Sequence, residues 1–491
     1  MSEVRQYIGA RYVMKIYVNS LDPSSAEWEA STAYEPLTLV TYNNSSYLSK
    51  KEVPNNIGNP TDNPDYWVIT GAYNGQIANL QNRVTTLETE ISSLVSADFK
   101  TPYEYGAVGD GLTDDSQAFA DMDADASVMY IPKGTYYLAS RWVQSGNNKL
   151  IICDPDAVFT CGDNSTSVIK ITGDNVIIKN IHIRGNKSDS PADETEFNHG
   201  LYLRNPKHIT VENAYIENVC GDGIYIGNDP GSSDIGHDVI LDKCFIDGAG
   251  RNGITVISNS NFLIRNCSVI NTALHDPQMA IDIEPDADDS VINGMIDGLY
   301  SSGNANGCIG VMIFHKINQM SLNINNVRSI KDSTQNTGRP IIYVRNYYTS
   351  GTNTGIISFD NIHIQNGRIN AFNFVGMSNY LPAKVRNLTL DQCQAPTLFK
   401  IEATAATAAQ GYIDIDFTLN NRGYGNSKFC EIINSGSNYI KHIKFKARTT
   451  YNFATSGEND IQTNAEAYYQ DVYAQETGAT FTPEYVLLPT A

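Results

Sequence analysis

The sequence predicts an all-β protein whose main body is a parallel β-helix, and three observations predict it. Short alternating strands recur every 23 to 31 residues, no amphipathic helix lies between them, and asparagines return at one place in the repeat. Doubly wound sheets need crossover helices, so strands this closely spaced must coil on themselves instead. The 491 residues allow two to four domains. With 18% charged and 41% hydrophobic residues, 37 Gly and 18 Pro, the chain is neither disordered nor collagen-like. A balance of 34 basic to 54 acidic residues, net charge -20, repels phosphate backbones and anionic membranes and argues against a nucleic-acid partner.

No run approaches the ~20 apolar residues of a membrane span, and Met1 to Ala10 has no signal-type apolar stretch. The expectation is a soluble protein without a secretion signal. The eight cysteines include no CxxC pair and read as buried free thiols. Tyrosine, at 29, outnumbers 16 Phe and 3 Trp, which favours rings with one wet edge, suited to sugars and to protein contacts alike.

Along the chain, residues 1–75 form a small module with short strands and the aromatics Trp28, Tyr34, Tyr42, Tyr47 and Trp67. These rings fit either sugar stacking or the core of a tiny domain. Residues 76–98 follow as a short coiled coil. Ile77, Leu80, Val84, Leu87, Ile91 and Leu94 hold a strict 3,4,3,4,3 spacing with polar residues between, a seam narrower than a helix lying on a globular core presents. Assembly into an oligomer follows, with the number of strands left open.

Residues 99–448 carry the repeat. Strands beginning near Gly200, Gly223, Gly253, Ala280, Gly310, Ile341, Ala371 and Leu398 align in one column, with steps of 23, 30, 27, 30, 31, 30 and 27. Stacked at ~4.8 Å, ten or so turns make a rod on the order of 50 Å long. Asn180, Asn213, Asn266, Asn326, Asn361 and Asn387 fall at matching turns, where stacked amides can form a ladder. Residues 449–491 break the register. Their Ala465-EAYYQDVYA stretch reads as a short helix, in a segment that caps the rod or locks the oligomer.

Two stretches carry a resemblance to known families. Tyr105-GAVGDGLTDDSQAF followed by Val128-MYIPKGTYYL resembles the entry motif of the pectate-lyase-like superfamily, whose fold is a right-handed, single-stranded parallel β-helix. Physically, Thr113, Asp114 or Asp115 can N-cap a short helix whose apolar face, Ala118, Phe119 and Met122, covers the open end of the coil. Gly106, Gly109 and Gly111 supply tight turns. Capping explains these acids without a metal, and no motif asks for a cofactor. The stretch from Trp28 to Trp67 is similar to the small chitin-binding type of carbohydrate module. Module, coiled coil and β-helix in this order resemble bacteriophage tail spikes and related receptor-binding proteins. The resemblance implies a homotrimer, attachment of the N-terminal part to virion tail or baseplate proteins, and binding or cleavage of a bacterial surface polysaccharide. It places the protein in the virion tail, made in the bacterial cytoplasm.

Within the aligned strands, pairs such as Leu201 and Leu203, or Ile281 and Ile283, point into the rod, and the alternate residues face out. Two outward columns result: Tyr202, Tyr225, Thr255, Asp282, Met312, Tyr343, and Arg204, Gly227, Ile257, Glu284, Phe314, Arg345. Aromatic rings stack on pyranose faces and Arg forks hold hydroxyls or uronates, so Tyr202, Arg204, Tyr225, Tyr343 and Arg345, with Arg251 and His275 from loops, are the candidate substrate-binding residues. Glycoside hydrolysis needs two carboxyl groups, and Asp282 and Glu284 share a face with backbones ~6.6 Å apart, open to retaining or inverting geometry. They are the candidate catalytic pair, the alternative being two solubilising surface acids. Asp222, Asp276 and Asp286 lie in neighbouring loops, and His275 beside Asp276 is a further acid-base candidate. A lyase would use calcium-bound uronate with an Arg or Lys base, and the clustered Asp triplet for that calcium is absent. So is the Gly-His-Gly turn of polygalacturonases. The readings carried forward are a hydrolytic depolymerase, a binding-only receptor protein and a polysaccharide lyase.

Overall fold

The computed structural model describes residues 26–43, 45–72, 99–162, 167–187, 198–228, 235–332, 339–348, 353–367, 370–377, 380–391, 393 and 397–402, and beyond these the strands at 4–8, 12–16, 412–420, 428–433, 442–449, 468–472 and 486–487. The predicted coiled coil, 76–98, lies outside the described residues. The chain divides into two compact units, Met1–Asp98 and Phe99–Ala491.

The first unit is one five-stranded sheet, Val4–Ile8, Tyr12–Ile16, Thr38–Tyr42, Ser45–Ser49 and Trp67–Ala72, antiparallel except where the second and third strands run parallel. Tyr34, Val40, Tyr47, Val53 and Trp67 make its core. Tyr34 meets Trp67 edge to face at 5.2 Å, and Trp28 meets Tyr42 the same way at 5.3 Å. Of the two roles open to these rings, burial assigns Tyr34, Tyr47 and Trp67 to the core of a small domain.

The second unit is a parallel β-helix. Each full turn adds one strand to an eleven-stranded, all-parallel first face and two to a larger sheet creased lengthwise into a second and a third face. First-face strands run from Trp142–Gln144 to Lys428–Ile433. Facing inward, Ile169, Leu201, Ile224, Ile254, Ile281, Ile309, Ile342, Phe372 and Phe399 lie in register one above another and are fully buried. Each such stack removes apolar surface from water on both sides of every side chain, and this is what holds a coil without helices together.

At the N-terminal end, Ser116–Asp125 is the one α-helix among the described residues, with Asp115 as its N-cap residue. Ala118, Phe119 and Met122 are buried, and Phe119 packs within 5.2 Å of the Tyr136, Trp142 and Phe159 rings, closing the rod as expected. The Asp115 carboxylate accepts from Val108 N and Gly109 N, while Asp114 Oδ1 accepts from Ser116 N. Gly106, Gly109 and Gly111 all take positive φ in the turns before the helix.

Two of the corners differ in kind. Between the second and third faces two residues intervene at 180–181, 213–214, 243–244, 266–267 and 298–299, and three at 154–156. The first of the pair is left-handed (Asn180, Asn213, Lys243, Asn266, Gly298) and the second is buried. Asn and Gly tolerate that region best, which is why they recur. The expected ladder forms between Asn213 and Asn180 (2.8 Å) and between Asn361 and Asn326 (2.6 Å). Elsewhere it passes through carboxylates: Asn266, Asn326 and Asn387 donate to Asp242, Asp297 and Asp360. Between the third and first faces the connection ranges from three residues (139–141) to sixteen (185–200). On entry to the first face the turns press together: a Cβ on Gly223 would lie 2.7 Å from the Gly253 carbonyl, so the glycine column is set by contact between turns.

Two expectations are corrected. The strand Gly307–Ile313 pairs with Asp282 opposite Gly310 and Gly310 opposite Tyr343, so Met312 stands in the Glu284 and Arg345 column. The true steps from Ile281 are 28 to Ile309 and 33 to Ile342. This strand is buried at every position, so alternation carried no register signal there. The C-terminal Tyr468–Val472 is a strand, antiparallel to His442–Thr449 on the open edge of the last turn, in place of the expected helix. An unpaired edge offers a row of backbone partners that outweighs local helix propensity.

Candidate functional site

The acids lie midway along the first face. Asp282 belongs to the strand Met279–Ile283 and Glu284 follows it, while Asp222, Arg251 and Asn252 come from the variable corners of the two preceding turns. Arg251 bridges the group: Nη1 donates to Asp222 Oδ2 at 3.1 Å and Nη2 to Glu284 Oε2 at 3.2 Å. Asn252 fastens the rest. Its N–H donates to Asp222 Oδ1, its Nδ2 to Thr255 Oγ1 and Asp282 Oδ2, and its Oδ1 accepts from Met279 N.

Outward-pointing Asp282 was expected on an exposed face, but it is fully buried, as is its in-register neighbour Thr255. The sheet face is covered here by the corner residues and by Met279, Met312, Tyr343 and Val375, which cluster on the outer side. Asp282 Oδ1 has no hydrogen-bond partner as a carboxylate. Gly310, opposite it in register, has no side chain to fill the space, and a Cβ there would sit 2.9 Å from Oδ1.

Burial pushes the Asp282 carboxyl well above the usual carboxylate range, with the charge of Glu284 adding to the effect and Arg251 opposing it. Burial raises Glu284 too, again against the pull of Arg251. Three carboxyl groups thus surround one guanidinium, and Asp282 and Glu284 are in hydrogen-bond contact. One proton between them satisfies the orphan oxygen and removes the like-charge repulsion. Carboxyls that flank a scissile bond stand at least about 5 Å apart, whereas Asp282 and Glu284, in hydrogen-bond contact, form one proton-holding unit. Glu284, partly exposed, is its outer member.

The other predicted residues fall into two groups along the face. Tyr202 and Tyr225 touch edge to face at 5.1 Å, three and two turns before Asp282 in the register. Tyr225 stacks on His199 at 4.4 Å, and Lys170 lies over Tyr202 at 4.7 Å. His199 is held neutral: burial lowers it to about 4, and its Nδ1 accepts from the Asp222 N–H. On the far side, two turns beyond Asp282, Arg345 lies 3.8 Å from the Tyr347 ring centroid and 4.7 Å from that of Tyr343. Phe314, exposed, stacks on Tyr347 at 5.6 Å.

Arg204 stands opposite Gly227, three turns from Glu284 in its column, away from the acids. His275 joins the variable corner, its N–H donating to Gly250 O. The carboxylate of the neighbouring Asp276 accepts from Asn306 and Arg339.

Sequence reading missed His199, Asn252, Tyr347 and Gly310, which lie in corners or in the misregistered strand. It also named no metal ligands. Among the described residues, one group of His, Cys, Asp or Glu brings three donor atoms within 4.8 Å of one another: His208, His237 and Asp238, on the second face. Cys153, Cys220, Cys244, Cys267, Cys308 and Cys393 are buried thiols and Cys161 is half-buried, and none of these seven is in a disulfide.

The fold class is also recognised in sequence: residues 143–294 match the family described as the right handed beta helix region, so the chain carries a right-handed parallel β-helix. It is similar to the pre-neck appendage protein of Bacillus phage phi29, at 24% identity over 239 residues covering 42% of this chain and 26% of that protein. The match thus spans only about a quarter of the relative's length. Among solved structures, PfbA, a surface adhesin of Streptococcus pneumoniae, aligns with a TM-score of 0.48 and 13% identity over 80% of this chain and 98% of that one. The pre-mature bacteriophage phi29 gene product 12 aligns with a TM-score of 0.45 and 14% identity over 78% and 60%. Among the described residues, no helix is long and apolar enough to cross a membrane.

Proposed function

We propose that this chain is a tail-spike-like, receptor-binding component of a phage particle that grips a bacterial surface polysaccharide along the first face and hydrolyses it. The observation that carries the reading is the proton-sharing Asp282 and Glu284 pair under Arg251, set between two aromatic and cationic stations. Tyr202 and Tyr225 offer ring faces on one side. On the other, Arg345, half-buried, packs against the Tyr343 and Tyr347 rings and offers a guanidinium to an acidic or hydroxyl-rich sugar. The phage appendage likeness supports the location in a virion, and residues 76–98 supply the oligomer, a trimer in this reading.

In the hydrolytic step the pair delivers its proton through Glu284 to the glycosidic oxygen, the C–O bond breaks, and water adds to the sugar carbon. Asp286, exposed and electrostatically linked to Glu284, takes the proton of that water. Arg251 stabilises the carboxylate left on the pair. A second reading, binding without cleavage, is favoured by the complete burial of Asp282 and by the hold of Arg251 on Glu284.

The test is incubation with surface polysaccharides from a bacterial panel, scoring retention and new reducing ends for the wild type and Glu284→Gln. Hydrolysis predicts a loss of at least ~100-fold in reducing-end release with retention unchanged. Retention without new ends in the wild type establishes the binding-only reading, and unsaturated products absorbing in the ultraviolet establish elimination.

A further inference from the structure

On the second face, one column of left-handed residues runs through successive turns: Asn148, Asn175, His208, Asp238, Asn261 and Asn293, with φ between 51° and 57°. The strand registers place them one above another. The amides bond along the column, Asn175 to Asn148 at 2.8 Å and Asn293 to Asn261 at 3.0 Å. His208 and Asp238 interrupt it. His237, beside Asp238 in sequence, adds a second imidazole.

We propose that His208, His237 and Asp238 bind a divalent transition-metal ion, of the class of Zn²⁺, Co²⁺ or Ni²⁺, that clips two consecutive turns. His208 Nδ1 lies 3.2 Å and His237 Nδ1 2.9 Å from the same oxygen, Asp238 Oδ2. Metal bonds of ~2.1 Å subtending about 90–100° produce these donor separations. Two imidazole nitrogens and one carboxylate oxygen suit borderline ions better than Ca²⁺ or Mg²⁺, which take oxygen donors. The rings cross edge to face at 4.8 Å, so both nitrogens converge without the rings stacking. All three side chains reach solvent, which gives the ion a way in and leaves its remaining positions to water. Asn261 holds the carboxylate from the next turn through a hydrogen bond, the outer support that metal carboxylates carry. Lys207, opposite His237, brings a positive charge nearby, so Asp238 is the ligand whose charge matters most.

The column supplies its own control. Asn is the residue at four other turns and tolerates the left-handed backbone, so His208→Asn with Asp238→Asn removes two ligands and keeps the fold. The experiment uses the full chain without an affinity tag, stripped with chelator, thiols blocked, and titrated with Co²⁺ and with Zn²⁺. Expected are one equivalent of Co²⁺ with visible ligand-field absorption, a rise in Tm on adding Zn²⁺, and at least ~10-fold weaker binding in the double variant at unchanged metal-free Tm. Equal binding by wild type and variant, or no uptake by the wild type, would overturn the site and leave a hydrogen-bonded His-Asp-His cluster only. A variant that loses metal-free stability is replaced by His237→Gln, judged by the same Co²⁺ spectrum.

Discussion

Asp282 turns burial into a protonation state. Unfolded, an aspartate titrates near 3.9; folded, this one titrates higher, so the native chain binds more protons over the interval between. The stability it contributes is therefore full below about pH 3.9 and is lost as pH rises through the folded value. Asp282→Asn keeps the contact with Asn252 and removes the ionisation. It is expected to be more stable than the wild type at pH 8, on the order of 1–3 kcal/mol, and to converge with it near pH 4 in denaturant titrations. A constant difference across that range would mean that the acid is not held protonated. At this scale the sequence was half legible. Two acids at alternate positions, Asp282 inside the apolar stretch Met279 to Ile283 and Glu284 just after it, stood out, but whether they faced water depended on corners whose paths no period describes. His199 and Asn252 looked like ordinary loop residues. Their importance comes from what lies beside them one turn away.

At the scale of the element, the two-residue corner fixes the crease between faces. Asn213 has φ 55° and donates to Asn180, so Asn213→Ala loses a hydrogen bond and strains the backbone together. A cost of about 1.5–3 kcal/mol is expected by urea denaturation, with Asn213→Gly recovering the backbone part. Equal costs for the two variants would show that the amide bond, and not the left-handed turn, is what the position supplies. These corners were readable because few residue types accept the conformation. The strand Gly307–Ile313 was not, because seven buried residues in a row fit more than one register. The Tyr468–Val472 strand was misread because its partner is an edge created only when the last turn has formed.

Across the whole molecule the two units have separate cores, one drawn from Tyr34 to Trp67 and one from Ala107 to Phe399. A chain of residues 99–491 is therefore expected to fold, with a main calorimetric transition within about 3 °C of that of the full chain. Stacked turns take their stability from nearest neighbours, so a unit with its own core is expected to add little to it. A fall of ten degrees or more would show that the rod depends on the preceding residues, through assembly or direct support. The periodic body was the most legible part because each turn restates the same constraint. The contrast between the two corners has a consequence for descent. One corner stays at two or three residues wherever it separates two strands, and so keeps the turns in phase; the other has accepted between three and sixteen and carries Asp222, Arg251, Asn252 and His275. Insertions and deletions there leave the coil in phase while they redraw the surface beside Glu284. Such a lineage can change what it grips by lengthening a loop, without first solving its fold again.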